Sequence, residues 1–174
     1  MQAYRQLAKA LQYPHPGQLE FLQTGAGEIQ DPAVQRLFQT FLEKVSELSR
    51  GEWEELYTST LDLNPRAAPY LGFQIWGENY KRGEFMSLLN KELREQGIER
   101  GGELPDHLVP VLHYLSVSQS PLPELEEIFP RALKKMQKEL ESSDPDNPYL
   151  HLLQAIHKLA PSHQADENNK QQRN

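Results

Sequence analysis

The chain has no cysteine among its 174 residues. Disulfide bridges, thiolate nucleophiles and cysteine-ligated zinc sites are therefore excluded, and the absence fits a reducing compartment. No stretch approaches the ~20 consecutive apolar residues that a membrane-spanning helix needs. The N-terminal segment also lacks the apolar run of a secretory signal. We expect a soluble, cytoplasmic protein with no direct membrane insertion.

Basic charge is scarce as well. The chain carries 18 Lys and Arg against 25 Asp and Glu, for a formal net charge of −7. A nucleic-acid binder needs a basic stripe to meet phosphates, and a protein that docks on anionic lipid needs a basic patch, so both classes are disfavoured. An acidic surface suits a basic partner such as an arginine-bearing peptide, although solubility alone accounts for the same charge.

Strand patterns are missing too. No segment alternates apolar and polar residues over a useful length, whereas apolar residues recur three and four apart throughout. The clearest stripe is Val34, Leu37, Phe38, Phe41, Leu42, Val45 and Leu48. The sequence predicts an all-α, single-domain helical bundle of eight or nine helices over residues 1–160. Residues 161–174 contain no large apolar side chain and are predicted to form a disordered polar tail.

Local signals predict several helix boundaries. Asp31-Pro32 and Asn147-Pro148 each place a capping side chain before a proline, which is typical of a helix start. Gly51 is predicted to close the helix that contains the long apolar stripe. Residues 61–65 are predicted to form an ordered loop.

Three later prolines also carry structural predictions. We expect Pro105 to begin a helix at its first position. Pro110 is expected to kink that helix or loosen its first turn, because proline lacks the backbone N–H. For the same reason Pro130 is expected to divide the helix that follows.

An aromatic, glycine-bearing segment lies in the middle of the chain. Its aromatic residues recur at helical spacing: Tyr70, Phe73, Trp76 and Tyr80. Each glycine in a helix costs roughly 1 kcal/mol relative to alanine, so the three in this region need a compensating reason. Gly72, Gly77 and Gly83 together predict close backbone packing or a bend.

Signatures of catalysis are weak. His107 and His113 are six residues apart, as are His151 and His157, whereas helical metal ligands usually stand three or four apart. No phosphate-binding glycine loop or nucleophile turn is present. Two carboxyl groups near a helix start, Glu103 and Asp106, fit either an acid–base pair or stabilisation of the helix dipole. We predict no enzyme activity, no catalytic residue, no metal site and no cofactor of the chain's own.

Two segments resemble a known family. The first contains Tyr57, Asp62, residues 70–78 (YLGFQIWGE) and Lys81-Arg82-Gly83, and the second is residues 103–108 (ELPDHL). In this order and spacing they are similar to the NarJ/TorD family of molybdoenzyme assembly chaperones, closest to the nitrate reductase delta subunit. The chain departs from the family pattern at Leu61, at Phe73-Gln74 and at Val109.

The resemblance implies an all-helical, TorD-like chaperone that is not an enzyme. Such a protein binds the N-terminal segment of the catalytic (molybdopterin) subunit of a respiratory oxidoreductase, here expected to be nitrate reductase. It assists molybdenum cofactor insertion and assembly of the complex. We expect a monomer or a weak homodimer.

The two segments predict a peptide groove. We hypothesise that Phe73, Trp76 and Leu104 meet the apolar face of the client peptide, while Glu78, Glu103 and Asp106 meet its basic residues. His107 is expected either to bond locally and position the 103–106 turn or to respond to protonation. The remaining residues of the two segments are assigned a structural role: Tyr57, Asp62, Gly77, Arg82, Gly83 and Pro105.

Alternatives remain open at this point. Phe73 and Trp76 fit the core as well as a groove, and Asp106 fits a first-turn cap. Arg82 is expected to pair with a carboxylate inside the protein, because the ligand itself is basic. At the level of function, the rivals are an acidic helical adaptor with no cofactor-insertion role and a small helical enzyme that uses Glu103, Asp106 and His107.

Overall fold

The structure, a computed structural model, describes residues 1–160. Within this range the chain forms nine α-helices and no strand, which confirms the predicted all-α bundle. The predicted disordered tail at 161–174 lies outside the described residues. The helices, in chain order, are α1 Gln2–Ala10, α2 Gln18–Gly25, α3 Pro32–Ser46, α4 Arg50–Tyr57, α5 Leu71–Trp76, α6 Tyr80–Glu95, α7 Leu108–Leu115, α8 Pro123–Ser143 and α9 Pro148–Lys158.

Both predicted cap-and-proline starts are confirmed. The Asp31 carboxylate accepts hydrogen bonds from the backbone N–H groups of Ala33 and Val34 at the start of α3. The Asn147 side chain accepts from Tyr149 N–H at the start of α9 and also donates to the Thr60 hydroxyl at 2.9 Å. Each cap satisfies amide groups that have no partner within the helix, and Asn147 also ties α9 to the segment that follows α4.

One hydrophobic core runs through the described residues. α3 packs along α9, α8 also packs on α9, and α1 packs on α7. The predicted stripe on α3 supplies the centre, where Phe41 contacts the rings of Trp53 and Tyr149. The Trp53 indole N–H donates to the Tyr149 hydroxyl at 2.9 Å, so these polar atoms are satisfied inside the core.

The predictions for Gly51 and for the start of the loop at 61–65 were wrong. α3 ends at Ser46, and Gly51 lies in the first turn of α4, because Ser49 forms a capping box with Glu52 and starts the next helix before Gly51 is reached. The predicted loop at 61–65 begins later than expected. A π-helical turn, Thr58–Asp62, continues directly from α4 and includes Leu61, which is buried.

The predictions for Pro105 and Pro130 were also wrong, and the prediction for Pro110 rested on the wrong helix start. α7 begins at Leu108 rather than Pro105, so Pro110 occupies its third position, where a helix needs no backbone N–H. No kink is therefore required. α8 continues through Pro130. Insertion of a proline costs about 3 kcal/mol, but each large buried side chain contributes about 1.5–3 kcal/mol. The buried stripe of α8 is long enough to outweigh that cost: Leu125, Ile128, Phe129, Ala132, Leu133, Met136 and Leu140.

The glycine-bearing aromatic segment bends. A bend was one of the two alternatives that its glycines predicted, the other being close backbone packing. α5 ends at Trp76, and α6 begins at Tyr80. Gly77 between them has φ +64° and ψ −151°, a backbone region that is essentially restricted to glycine. None of the helices among residues 1–160 combines the length and apolar character needed to cross a membrane.

Candidate functional site

Two backbone hydrogen bonds bring the two sequence segments together. Leu71 N–H donates to the carbonyl of Asp106 at 2.9 Å, and Leu108 N–H donates to the carbonyl of Pro69 at 2.8 Å. Tyr70 and His107 therefore face each other in a single antiparallel bridge. The start of α5 is fixed against the start of α7, although the two lie more than thirty positions apart in the sequence.

A buried ion pair lies beside this bridge. The Arg82 guanidinium donates from Nε to Asp106 Oδ2 at 2.9 Å and from Nη2 to Oδ1 at 3.3 Å. The Asp106 side chain has no exposed surface, and that of Arg82 is 7% exposed. A planar guanidinium matches both oxygens of a carboxylate, and this satisfies charges that would be costly to bury singly.

The rest of the Arg82 guanidinium is also occupied. Nη1 donates to Glu78 Oε1 at 2.9 Å, with the Glu78 side chain 82% exposed. The guanidinium carbon lies 5.7 Å from the centre of the Tyr70 ring and 5.4 Å from that of Phe73. The predicted internal pairing of Arg82 is confirmed.

Asp106 occupies a different place from the one that the peptide hypothesis gave it. We expected its carboxylate to meet a basic ligand, but both oxygens bond to Arg82 beneath the surface. The cap position of α7 belongs to the next residue, His107, whose Nδ1 accepts a hydrogen bond from Val109 N–H at 3.1 Å. Asp106 therefore stabilises the fold. The local hydrogen bond of His107 is one of the two roles that the sequence predicted for that histidine.

Gly72 allows the ion pair to approach α5 closely. A Cβ atom at this position would lie 2.9 Å from Asp106 Oδ2, 3.0 Å from Arg82 Cγ and 3.2 Å from a Phe85 ring carbon. The first of these distances is shorter than real Cβ contacts allow. The glycine is thus needed for close packing, the other alternative predicted for the aromatic segment.

On the outer side of the bridge is a depression of about 370 Å³ that we call the acidic recess. Its walls come from the residues that follow α1, the end of α4, the segment that precedes α7 and α7 itself. Its lining residues include Tyr13, Tyr57, Glu99, Glu103 and His107. Tyr13 is half exposed and packs edge-on against the Tyr57 ring at 5.3 Å.

Three carboxylates in or beside the recess, those of Asp62, Glu99 and Glu103, form no ion pair with Lys or Arg among residues 1–160. The Glu103 carboxylate accepts a hydrogen bond from the Tyr70 hydroxyl at 3.1 Å and lies 4.0 Å from His107 Nε2. Burial lowers the pKa of His107, despite the opposing charges of Glu103 and Asp106, so the imidazole is neutral near pH 7. Asp62, at the end of the π-helical turn, forms no ion pair in the described part of the chain.

The electrostatics of the neighbouring groups agree with an uncompensated negative charge. Burial and then the charge of Glu103 raise the pKa of Asp62. Burial, followed by the charge of Glu103 and the hydrogen bond to it, raises the pKa of Tyr70 to about 12. The pKa of Tyr57 is also raised, first by burial and then by Asp62 and Glu103. Asp62 and Glu103 are thus close enough to act on the same groups.

Basic residues also lie in and near the recess. Arg100 is in its wall and donates from Nη1 to the backbone carbonyl of Glu103 at 3.0 Å. Arg5 and Lys9 of α1 act on His113, whose pKa is lowered first by burial and then by these two charges. Arg100 is thus the cation nearest Glu103, but it bonds to the backbone carbonyl, and the carboxylates of Asp62 and Glu103 form no ion pair with Lys or Arg within residues 1–160.

Phe73 and Trp76 lie in a second depression, of about 740 Å³, that we call the basic groove. It runs between α5 and α8, and we define it by Arg66, Phe73, Ile75, Trp76, Lys135 and Lys138. The two depressions share no lining residue. The hypothesis of one groove that combines Phe73 and Trp76 with Glu103 therefore needs correction, because the aromatic and acidic groups lie in separate places.

The other predicted residues take structural or exposed positions. Leu104 is 45% exposed next to Glu103, and Pro105 is buried in the turn before α7. Gly83 is exposed on α6, and a Cβ atom at this position would meet no other atom within 4 Å. Among residues 1–160, no three His, Asp or Glu side chains form a group that could hold a metal ion.

Sequence reasoning missed three residues that matter here. Tyr70 belongs to the quoted segment, yet its contacts with Glu103 and Arg82 depend on the bridge. Tyr13 and Glu99 reach the recess only through the packing of distant segments, and no local pattern identifies them. No protein-family model and no curated protein sequence matches this chain.

Gly72 and Gly83 form a matched pair for testing the close approach. Gly72→Ala should lower the free energy of unfolding by about 1–3 kcal/mol, because the added methyl group displaces Asp106 or Arg82. Gly83→Ala should raise it by about 0.5–1 kcal/mol, because alanine favours the helix and meets no neighbour. Urea denaturation of both variants measures the difference. Equal effects of the two substitutions would contradict the claim that Gly72 is needed for close packing.

The buried, neutral His107 predicts a pH effect on stability. Its pKa is lowered in the folded state, so below the ordinary histidine pKa of about 6.5 the unfolded chain binds more protons and folding becomes less favourable. His107→Asn keeps a capping oxygen but cannot titrate. The variant should lose less stability than the wild type when the pH falls from above to below that value. Parallel losses in urea denaturation would contradict the prediction.

Proposed function

We propose that this protein is a system-specific chaperone that binds the N-terminal segment of the catalytic subunit of a respiratory molybdoenzyme. By the sequence resemblance, the client is nitrate reductase. Binding assists molybdenum cofactor insertion and assembly of the complex, takes place in the cytoplasm and involves no chemistry by the chaperone itself.

One observation carries the proposal: the carboxylates of Asp62 and Glu103 are close together, and neither forms an ion pair with Lys or Arg within residues 1–160. An uncompensated pair of carboxylates is unfavourable in isolation, and a cationic ligand relieves it. Arginine is the side chain that suits such a pair best, because its guanidinium donates to carboxylates in a fixed planar geometry. This supports a ligand segment that contains arginine.

The aromatic residues of the recess support the same ligand. Tyr13 and Tyr57 line the recess, and the Tyr70 hydroxyl donates a hydrogen bond to the Glu103 carboxylate. Guanidinium groups bind favourably over aromatic rings as well as to carboxylates. The protein already holds one guanidinium in this way, since Arg82 bonds to Asp106 and lies over the rings of Tyr70 and Phe73.

A recess of this size takes one or two side chains and not a folded domain. It suits a short basic segment at the end of a client, such as a twin-arginine sequence, that binds before the client is complete. The net charge of −7 would speed the encounter more than it strengthens the complex. An adaptor without a cofactor-insertion role would use the same recess, so binding alone does not separate the two functions.

The test uses a peptide of the client's N-terminal segment and isothermal titration calorimetry. Glu103→Gln and Asp62→Asn should each weaken binding about tenfold or more, because a charge-assisted hydrogen bond contributes about 1.5–3 kcal/mol. Glu43→Gln is the matched control, since Glu43 is exposed on α3 and its substitution makes the same change in net charge. A peptide with its arginines replaced by glutamine should bind the wild type weakly.

Unchanged affinity in Glu103→Gln and Asp62→Asn would overturn the recess as the peptide site. Cofactor insertion has a separate readout, the molybdenum content of the client purified from cells that carry each variant. We expect that content to fall with the same two substitutions and not with Glu43→Gln. An adaptor would lose peptide binding and leave the molybdenum content unchanged.

A further inference from the structure

The basic groove has a charge opposite to that of the protein as a whole. Arg66, Lys135 and Lys138 line it, and Glu139 is the one acidic lining residue among those that the structure describes. The Arg66 guanidinium lies 3.7 Å from Glu139, which leaves the two lysines uncompensated by any ion pair within residues 1–160. In a chain with a net charge of −7, such a patch needs an explanation.

The lysines belong to a stripe along α8. Basic residues stand at successive intervals of three, one and three: Arg131, Lys134, Lys135 and Lys138. Positions with this spacing share one face of a helix. Lys135 Nζ donates to the carbonyl of Gln74 at 2.7 Å, so its side chain is held against α5. Lys138 is exposed and has no side-chain partner among the described residues.

Apolar side chains lie beside this charge. Phe73, Ile75 and Trp76 line the groove and are each partly exposed. The Trp76 ring packs edge-on against Phe85 at 5.4 Å, which covers part of the indole and leaves the rest facing the groove. Half-covered tryptophan in a concave site is typical of binding anchors. The groove therefore combines apolar contact area with positive charge along one edge.

We propose that the basic groove binds an acidic segment of a partner protein. A large apolar side chain of that segment lies on Trp76 and Phe73, and its carboxylates lie along Lys135 and Lys138. An acidic segment complements the charge of the groove, which is a positively charged concave surface on an otherwise acidic chain. The site is distinct from the acidic recess, so the proposal holds whether or not the recess binds a client peptide.

Two other anionic partners fit less well. Nucleic acid would need a longer row of basic residues that tracks a backbone and ring faces free for base stacking, whereas the groove has three basic residues and Trp76 is packed against Phe85. An anionic membrane would need a protruding apolar surface with basic residues around it. Here the apolar side chains line a depression.

The test uses a synthetic amphipathic helix with leucines on one face and glutamates on the other, labelled for fluorescence anisotropy. A counterpart with lysine in place of glutamate is the charge control. The acidic peptide should bind more tightly than its counterpart, and its affinity should fall as salt is raised. Of the chain's two tryptophans, Trp53 is in the core, so a change in emission on binding should disappear in Trp76→Phe.

Substitutions then locate the site. Lys138→Glu should weaken binding of the acidic peptide roughly three- to tenfold, because an attractive surface ion pair becomes a repulsive one. Lys138→Arg should keep the affinity. Lys91→Glu is the matched control, because Lys91 is 66% exposed on α6 and lies outside the groove. Circular dichroism checks that each variant is folded.

The proposal is overturned if the acidic peptide fails to bind or binds no better than its lysine counterpart. Equal effects of Lys138→Glu and Lys91→Glu would also overturn it. Single-stranded RNA and anionic vesicles are tested in parallel. If either binds through Lys138 while the acidic peptide does not, the groove belongs to that partner instead.

Discussion

The buried ion pair between Arg82 and Asp106 is the interaction on which the centre of this structure depends. Removing Arg82 would leave the buried Asp106 carboxylate without a compensating charge, at a cost of about 3–5 kcal/mol. The pair joins α6 to the turn before α7, and the two backbone hydrogen bonds of the bridge join that turn to α5. Gly72 leaves the space that this arrangement needs. Three helices are thereby held in one geometry.

That geometry separates two acidic residues that are close in sequence. Asp106 forms an ion pair with Arg82 inside the protein. Glu103, three positions earlier, is 39% exposed, accepts a hydrogen bond from a tyrosine hydroxyl and lies beside a neutral histidine. The first charge stabilises the turn, and the second forms no ion pair with Lys or Arg within residues 1–160. Phe73 shows a related division, because it contacts Arg82 on one side and lines the basic groove on the other.

Much of the helical architecture could be predicted because its signals are local. The stripe on α3 and the caps at Asp31 and Asn147 need only neighbouring residues. The errors arose where position within a helix decides the outcome. Pro110 costs no helical hydrogen bond at the third position of α7, and the packing of α8 offsets the cost of Pro130. The internal pairing of Arg82 followed from charge reasoning, whereas the contribution of Tyr13 to the recess depends on tertiary packing that no local pattern reveals.

The most direct measurement maps where the arginines of the proposed client would lie on this protein. A photo-reactive residue placed beside the arginines of the client's N-terminal peptide is activated in the complex, and the linked residues are identified by mass spectrometry. The account predicts links to the walls of the acidic recess, around Tyr13, Tyr57 and Glu103. Links confined to Phe73, Trp76 and the lysines of α8 would contradict it.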